Sequence, residues 1–225
     1  MIPVKAVLFD YGMVLSAAPD PAAWARIRTI TGLPEDILHR EYWAYRHAYD
    51  RGDLIAATYW HKVAAAAGIT LTPAQLTQLI AADTDFWSTL NLPMIEWAQR
   101  LQHSGIRIGI LSNMPDAMEA GLRARYPWID TFDHNTWSHA VNLAKPEHAI
   151  YLHAAEGLRT PPTNILFIDD KPENIEAALS VGMQAIQYTT HNAFVQEMHT
   201  RGLDSLLQLD GLQLEGHPVS QNGKL

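Results

Sequence analysis

Four short apolar runs most constrain how this chain can fold. They lie at residues 4–10, 106–112, 165–169 and 184–188. Each run is too continuous for a half-exposed strand and too short for a helix, so each is predicted to be a buried strand. Helical patterns at residues 93–103 and 149–158 precede the second and third runs. Strands that alternate with helices predict an α/β fold with a doubly wound parallel sheet, a Rossmann-like core.

Three of these runs end in polar side chains. Asp10 ends the first run, Ser112 and Asn113 end the second, and Asp169 and Asp170 end the third. In a doubly wound sheet, ligands bind beyond the carboxyl ends of the strands. These side chains are therefore expected to converge on one functional site.

The segment 16–90 interrupts the alternation because it is helical throughout. Helix start and stop signals recur along it. The starts are at Asp20-Pro21, Pro34-Glu35 and Thr72-Pro73, and the stops are near Gly32, Gly52 and Gly68. The segment is also rich in aromatic residues, which are predicted to pack mainly with one another, while a few line the roof of the site.

The predicted domain organisation follows from this insertion. Residues 1–15 and 91–209 are expected to form the α/β core, and residues 16–90 an inserted helical cap over the strand ends. Residues 210–225 are polar and contain glycine, so they are expected to form a flexible tail.

The composition excludes several classes of function. A formal charge of −8 argues against a nucleic-acid partner. Because the 225 residues include no cysteine, disulfides, thiolate metal sites and cysteine nucleophiles are excluded. The first residues lack the apolar core of a signal peptide, and no window approaches the roughly 20 apolar residues of a membrane span. A cytoplasmic protein without a membrane partner is expected; the sequence does not indicate an oligomeric state.

The carboxylates at the strand ends limit the chemistry. Asp10 alone could be a nucleophile, a general base, a metal ligand or a plain strand-end cap. Asp169 and Asp170 are adjacent acids that would repel each other without a cation between them. A hard divalent ion such as Mg²⁺ prefers the oxygen ligands that these residues offer.

Cationic and neutral donors accompany the acids. Lys145 is a compact cation suited to holding a nucleophilic carboxylate beside a phosphoryl group, unless it is only a solvated lysine in a turn. Ser112 and Asn113 precede a helix predicted after Pro115, an arrangement that favours anions. Acid, divalent cation, lysine and hydroxyl together favour phosphoryl transfer from a phosphate ester through an aspartyl-phosphate.

Four segments in order resemble the motifs of the haloacid dehalogenase-like (HAD) hydrolase superfamily. They are Asp-Tyr-Gly-Met-Val-Leu at 10–15, Leu-Ser-Asn at 111–113, Lys145-Pro146 and Ile-Asp-Asp-Lys-Pro-Glu-Asn at 168–174. The resemblance extends over residues 4–188, and the helical insert resembles the cap of the subgroup that acts on small molecules. Within this subgroup, the chain looks closest to α-D-glucose-1-phosphatase-type enzymes. It is also similar to the phosphatase domain of soluble epoxide hydrolases. A sugar phosphate is the substrate that this resemblance implies.

The resemblance also implies a metal site. Asp10 would be both the nucleophile and a ligand of Mg²⁺. The backbone carbonyl of Gly12 and the carboxylate of Asp170 would complete the protein ligands. Asp169 would take part in catalysis by holding waters of the metal.

Further roles follow for the residues around the phosphoryl group. Ser112 and Asn113 would bind the transferring group, and Lys145 would hold it against the nucleophile. Asn174 has two alternatives: it orients the acidic loop, or it caps the helix that follows.

The departure from the family pattern is at Gly12. Most phosphatases of the family carry a second Asp there, as general acid and base, and losing such a group costs on the order of 10²–10⁴-fold in rate. Three hypotheses remain open: a phosphatase for substrates with good leaving groups or with an acid from elsewhere, a slow phosphatase, and a binder of phosphorylated ligands. His47 and His61 in the cap are candidates for a substitute acid. A positive φ at Gly12 would be a separate reason for glycine.

A 2-haloacid dehalogenase is the alternative enzyme class. Such enzymes use the same nucleophilic Asp and need no metal. In them the Tyr-Gly-Thr-Leu segment begins one position later than Tyr11 does here, and the Asp169-Asp170 pair is more acidic than a metal-free site requires.

Overall fold

The computed structural model of the chain describes residues 3–66 and 68–209. The predicted tail at 210–225 lies outside the described residues. Within the described ranges, we find no helix that is both long enough and apolar enough to cross a membrane.

A parallel sheet is the centre of the fold. Its strands are β1 (Ala6–Phe9), β2 (Arg107–Ser112), β3 (His134–Trp137), β4 (Ile165–Asp169) and β5 (Gln184–Gln187). The strand order is β3-β2-β1-β4-β5, and every neighbouring pair is parallel. The predicted doubly wound α/β fold is therefore confirmed. Because β1 lies between β2 and β4, the ends of these three strands are adjacent.

Both faces of the sheet are covered by helices. These are α6 (Leu92–His103), α7 (Asp116–Arg125), α8 (Ser138–Val141), α9 (His148–Gly157), α10 (Pro172–Ser180), α11 (His191–Thr200) and α12 (Asp204–Leu207). Along β1, Val7 and Phe9 pack into one apolar cluster and Ala6 and Leu8 into another. Burial on both faces explains why β1 has a continuous apolar sequence.

The strand β3 differs from the prediction, which contained four strands. Its sequence, His-Asn-Thr-Trp, carries no apolar run, and it pairs only with β2, at the edge of the sheet. Its first two residues, His134 and Asn135, are polar and only half-buried, so the hydrophobic signal used to find the other four strands is absent here.

Five helices lie between β1 and α6, and the predicted start and stop signals fall at or near some of their ends. They are α1 (Pro21–Thr31), α2 (Glu35–Ala44), α3 (Arg46–Asp50), α4 (Ala56–Ala65) and α5 (Pro73–Phe86). The Asp20 carboxylate accepts from the backbone N–H of Ala22 at 2.8 Å, and Thr72 caps α5 through a capping box. Gly32 ends α1 with a φ of 66°.

These five helices share a separate apolar cluster, which includes the buried side chains of Tyr42, Tyr49, Tyr59 and Trp60. Most of the aromatic residues thus pack together, as the sequence predicts. On this basis we propose that residues 16–90 form a cap domain with its own core.

Candidate active site

The first strand delivers Asp10 to the edge of the sheet. Its backbone N–H donates to the carbonyl of Ile168 at 2.8 Å, which continues the β1–β4 ladder by one residue. The N–H of Tyr11 donates to the Asp10 carboxylate at 2.7 Å. One wide helical turn, Tyr11–Leu15, follows at once. The nucleophile candidate is therefore fixed by the strand before it and the turn after it.

The backbone does not require glycine at position 12, so the expectation of a positive φ there is wrong. Gly12 has φ −63° and ψ 130°, whereas the next residue, Met13, has φ 59°. A Cβ atom added at Gly12 would lie 3.7 Å from Cζ3 of Trp87, an ordinary van der Waals distance. A side chain therefore fits at this position.

Lys145 lies between two acids. Its ammonium Nζ is 2.6 Å from Oδ2 of Asp169 and 3.0 Å from Oδ1 of Asp10. Only 3% of the residue is exposed, so the alternative of a solvated turn lysine is wrong. Burial alone would lower the pKa of Lys145, but the carboxylates of Asp10 and Asp169 raise it above its usual value. The side chain therefore stays charged.

Asp169 is completely buried and bonded on both oxygens. Besides Lys145, it accepts from the side-chain amide of Asn174 at 2.9 and 3.0 Å and from the backbone N–H of Lys171 at 2.9 Å. Of the two alternatives for Asn174, the structure favours the one in which it orients the acidic loop. The charge of Asp169 is balanced by Lys145, so repulsion within the Asp169-Asp170 pair is smaller than the sequence suggests.

Three carboxylates meet at the strand ends. One oxygen each from Asp10, Asp169 and Asp170 lie within 4.8 Å of one another. Burial raises the pKa of Asp10 to about 6; Lys145 opposes this, and the charges of Asp169 and Asp170 add to it. Burial, followed by the charge of Asp169, also raises the pKa of Asp170. With Lys145 present, the three ionised acids leave two negative charges, which match one divalent cation.

The polar residues after β2 lie on the other side of Asp10. Ser112 is buried at the end of the strand and lines the same cavity as Asp10. The side chain of Asn113 donates to the carbonyl of Lys145 at 2.9 Å and accepts from its N–H at 2.8 Å. Asn113 therefore holds the lysine loop against β2.

A cavity of about 300 Å³ opens over these groups. It brings together the predicted site residues except Asp169, which is completely buried and is not part of the lining. From the predicted site, the lining includes Asp10, Gly12, Ser112, Asn113, Lys145, Asp170 and Asn174. Of the two candidate histidines, His47 lines this cavity, whereas His61 is exposed on α4 and is not part of its lining.

Sequence reasoning missed the charged residues in the roof of the cavity. Arg46 on α3 lines the cavity and bonds to Asp50 at 2.6 Å and to Asp83 at 3.1 Å. Burial raises the pKa of Asp50 to about 6, against the opposing charge of Arg46. The i, i+4 spacing of Arg46 and Asp50 was a possible signal, but such pairs are common on helix surfaces.

The fold and the strand-end cluster define an α/β enzyme whose chemistry centres on carboxylates. Residues 4–182 match the haloacid dehalogenase-like hydrolase model, and the chain belongs to this family. It is 27% identical over 203 residues to the sesquiterpene phosphatase astK of Aspergillus oryzae, covering 86% of this chain and 94% of that protein. It is 25% identical over 228 residues to bifunctional epoxide hydrolase 2 of Sus scrofa, covering 93% of this chain but 40% of that protein.

A solved structure agrees with this fold. The HAD family enzyme bt-2542 of Bacteroides thetaiotaomicron, in complex with magnesium and inorganic phosphate, superposes with a TM-score of 0.70 at 19% identity. The match covers 84% of this chain and 96% of that one.

Proposed function

We propose that the chain is a Mg²⁺-dependent phosphatase that hydrolyses a small phosphate monoester through an aspartyl-phosphate on Asp10. The observation that carries the proposal is the cluster of three carboxylates with Lys145 between two of them. A relative named as a phosphatase supports the reaction class. The magnesium and phosphate bound by a structural relative support the cofactor.

The Asp10 carboxylate is the nucleophile of this reaction. It forms a bond to phosphorus while the ester P–O bond breaks, and the departing oxygen takes a proton from water. A second water then attacks phosphorus, the bond between phosphorus and the Asp10 oxygen breaks, and inorganic phosphate leaves. The proton that this water gives up neutralises the hydroxide left by the first, so one water is consumed overall. Lys145, 3.0 Å from Asp10, stabilises the negative charge that accumulates in both steps.

Neighbouring residues hold the reacting groups. We assign the Ser112 hydroxyl to the phosphoryl group. Asn113 places Lys145 through its side chain and offers its main-chain N–H to the same group. Asp169, whose oxygens are bonded to Lys145 and Asn174, orients the lysine. Asp169 is also proposed to accept hydrogen bonds from the water molecules bound to the metal.

The residues present fit a magnesium ion. Asp10, the carbonyl of Gly12 and Asp170 would hold it, since Mg²⁺ prefers oxygen ligands and the site carries a net charge of two negative units. When bound, the ion supplies positive charge to the phosphoryl oxygens.

One observation favours the second candidate function, a protein that binds phosphorylated ligands without hydrolysing them: position 12 carries glycine and not an acid. Nothing beyond a hydrogen extends from this position into the cavity, and Trp87 lies beside it. A dehalogenase is less well supported, because a metal-free displacement has no need of three clustered carboxylates. The sugar phosphate implied by the resemblance stays a prediction.

Removal of the metal tests the proposal. Phosphate release from acetyl phosphate is expected to stop in excess chelator and to return when Mg²⁺ is added back in excess. Asp170→Asn is expected to shift the Mg²⁺ concentration for half-maximal activity upward by about tenfold or more, because one charged ligand is lost. The matched control is Asp36→Asn, an exposed acid at the start of α2. Full activity in chelator would remove the metal from the mechanism and restore the dehalogenase alternative.

A further inference from the structure

Three large apolar side chains line the cavity without being buried in a core. Met13 is 38% exposed and Trp43 is 45% exposed, and both line the cavity that contains Asp10. Trp87, which follows α5, is partly buried and lines it with them. We call these three residues the apolar mouth. They lie on three different segments: the turn after β1, the helix α2 and the end of α5.

The two indole rings of the apolar mouth are fixed by one buried residue. The Nε1–H of Trp87 donates to the Tyr42 hydroxyl at 3.2 Å. The ring of Trp43 packs edge to face on the Tyr42 ring at 5.0 Å between centroids. The Tyr42 hydroxyl in turn donates to Asp83 at 2.7 Å. A preorganised aromatic surface binds an apolar group with little loss of conformational entropy.

Met13 is held in a backbone conformation that disfavours a side chain. Its φ of 59° is in the left-handed region, where glycine or asparagine is cheaper. The residue nevertheless carries a long apolar side chain, and this side chain is exposed beside the nucleophile instead of being buried in the core. Such strain is typical of residues that contact a ligand. A thioether also adapts to apolar groups of different shape.

The polar residues that the cap presents to the cavity are mostly committed to one another. Arg46 bonds to Asp50, to Asp83 and, at 2.5 Å, to the Tyr42 hydroxyl. His47 is exposed in the lining. A sugar with several hydroxyl groups would thus find few free partners on the described cap residues. An apolar group would lose no hydrogen bonds there.

We propose that the apolar mouth binds the alcohol portion of the substrate, so that the substrate class is phosphate monoesters of apolar alcohols and not sugar phosphates. This inference rests on the proposed function, because it places the phosphoryl group at Asp10 and Lys145. The apolar portion then extends from the strand ends towards Met13, Trp43 and Trp87.

Two ligand series test the inference, and both change chain length without changing the reacting group. The first measures kcat/KM with Mg²⁺ for 4-alkylphenyl phosphates from methyl to butyl, whose leaving groups have closely similar acidity. The second measures the affinity of the Mg²⁺-loaded protein for n-alkylphosphonates, which are not hydrolysed, by calorimetry. In both series we expect a rise of about two- to fourfold per methylene until the apolar mouth is covered. Glucose 1-phosphate is expected to have a lower kcat/KM than butylphenyl phosphate.

Variants of the apolar mouth should reduce the gain per methylene in both ligand series. Trp43→Ser removes an exposed indole, and Met13→Asn removes the thioether while suiting the left-handed backbone. Both variants are therefore expected to fold, and each should reduce the gain per methylene to less than about 1.5-fold. Leu152→Ser is the matched control, because Leu152 is 50% exposed on α9 but does not line the cavity. It should leave the gain per methylene unchanged.

The outcomes separate this inference from the proposed function. Hydrolysis with no dependence on chain length would overturn the inference and leave the phosphatase standing. Phosphonate affinities that rise with chain length, without hydrolysis of any ester, would support the inference and overturn the phosphatase. Flat phosphonate affinities overturn the inference whatever the rates of hydrolysis are.

Discussion

Asp10→Asn is expected to abolish turnover, lowering kcat by about 10⁴-fold or more, because the carboxamide is a poor nucleophile and no aspartyl-phosphate can form. The measurement is phosphate release from acetyl phosphate with Mg²⁺ in excess. In the natural protein, a rapid quench with labelled substrate should place the label on Asp10, and the same experiment on the variant should show none. Lys145→Ala should also lower activity severely, through loss of the positive charge beside Asp10.

Loss of folding is not expected to explain the Asp10→Asn result. The substitution keeps the shape of the side chain and removes one negative charge from three clustered carboxylates. Lys145 retains Asp169 as its partner at 2.6 Å. The melting temperature in chelator should therefore be unchanged or higher. Asp36→Asn, which changes an exposed acid away from the cluster, should keep full activity. A folded Asp10→Asn protein with more than about one hundredth of the natural activity would mean that Asp10 is not the nucleophile.

The parallel sheet, but not the order of its strands, could be predicted from the sequence because buried strands produce continuous apolar runs. The runs at 165–169 and 184–188 match β4 (Ile165–Asp169) and, to within one residue, β5 (Gln184–Gln187). The strand β3 could not be predicted, because the polar residues His134 and Asn135 leave it without such a run.

The floor of the candidate site was predictable for the same reason. Parallel neighbours bring their ends to one edge, so Asp10, Ser112 and Asp169 had to lie close together. The pairing of Lys145 with Asp169 was not predictable, since a loop carries the lysine to a distant strand.

The apolar mouth depends on the packing of α2 and α5 around Tyr42, which no periodic pattern shows. The left-handed φ at Met13 also has no signal in the sequence. The sequence suggests a positive φ at the neighbouring Gly12 instead, because glycine adopts it most easily.

The second large effect is expected from Gly12→Asp. Without an acid at this position, the reaction depends on how readily the departing oxygen leaves without a proton. Aryl and acyl phosphates should therefore be hydrolysed much faster than phosphates of simple alcohols by the natural protein. A carboxyl group at position 12 can protonate the departing oxygen, and general acid catalysis of this kind contributes about 10²–10⁴-fold. The rate on alkyl phosphates should rise by that order, and the rate on acyl phosphates should change little.

The structure allows this substitution. Gly12 has φ −63°, which any residue adopts, and an added Cβ would lie 3.7 Å from Cζ3 of Trp87. Gly12→Ala and Gly12→Asn are the matched controls, because they fill the same space without supplying an acid. Neither should raise the rate on alkyl phosphates.

The decisive measurement is the dependence of kcat/KM on the pKa of the leaving group, for phosphate monoesters in the natural protein and in Gly12→Asp. A steep dependence that becomes shallow only in Gly12→Asp would identify a phosphatase adapted to easy leaving groups. A shallow dependence in the natural protein would mean that another group already supplies the proton. His47 is then the first residue to change, because it is exposed in the lining of the same cavity, and His47→Gln should make the dependence steep. Since His61 on α4 does not line this cavity, His61→Gln should leave the dependence shallow.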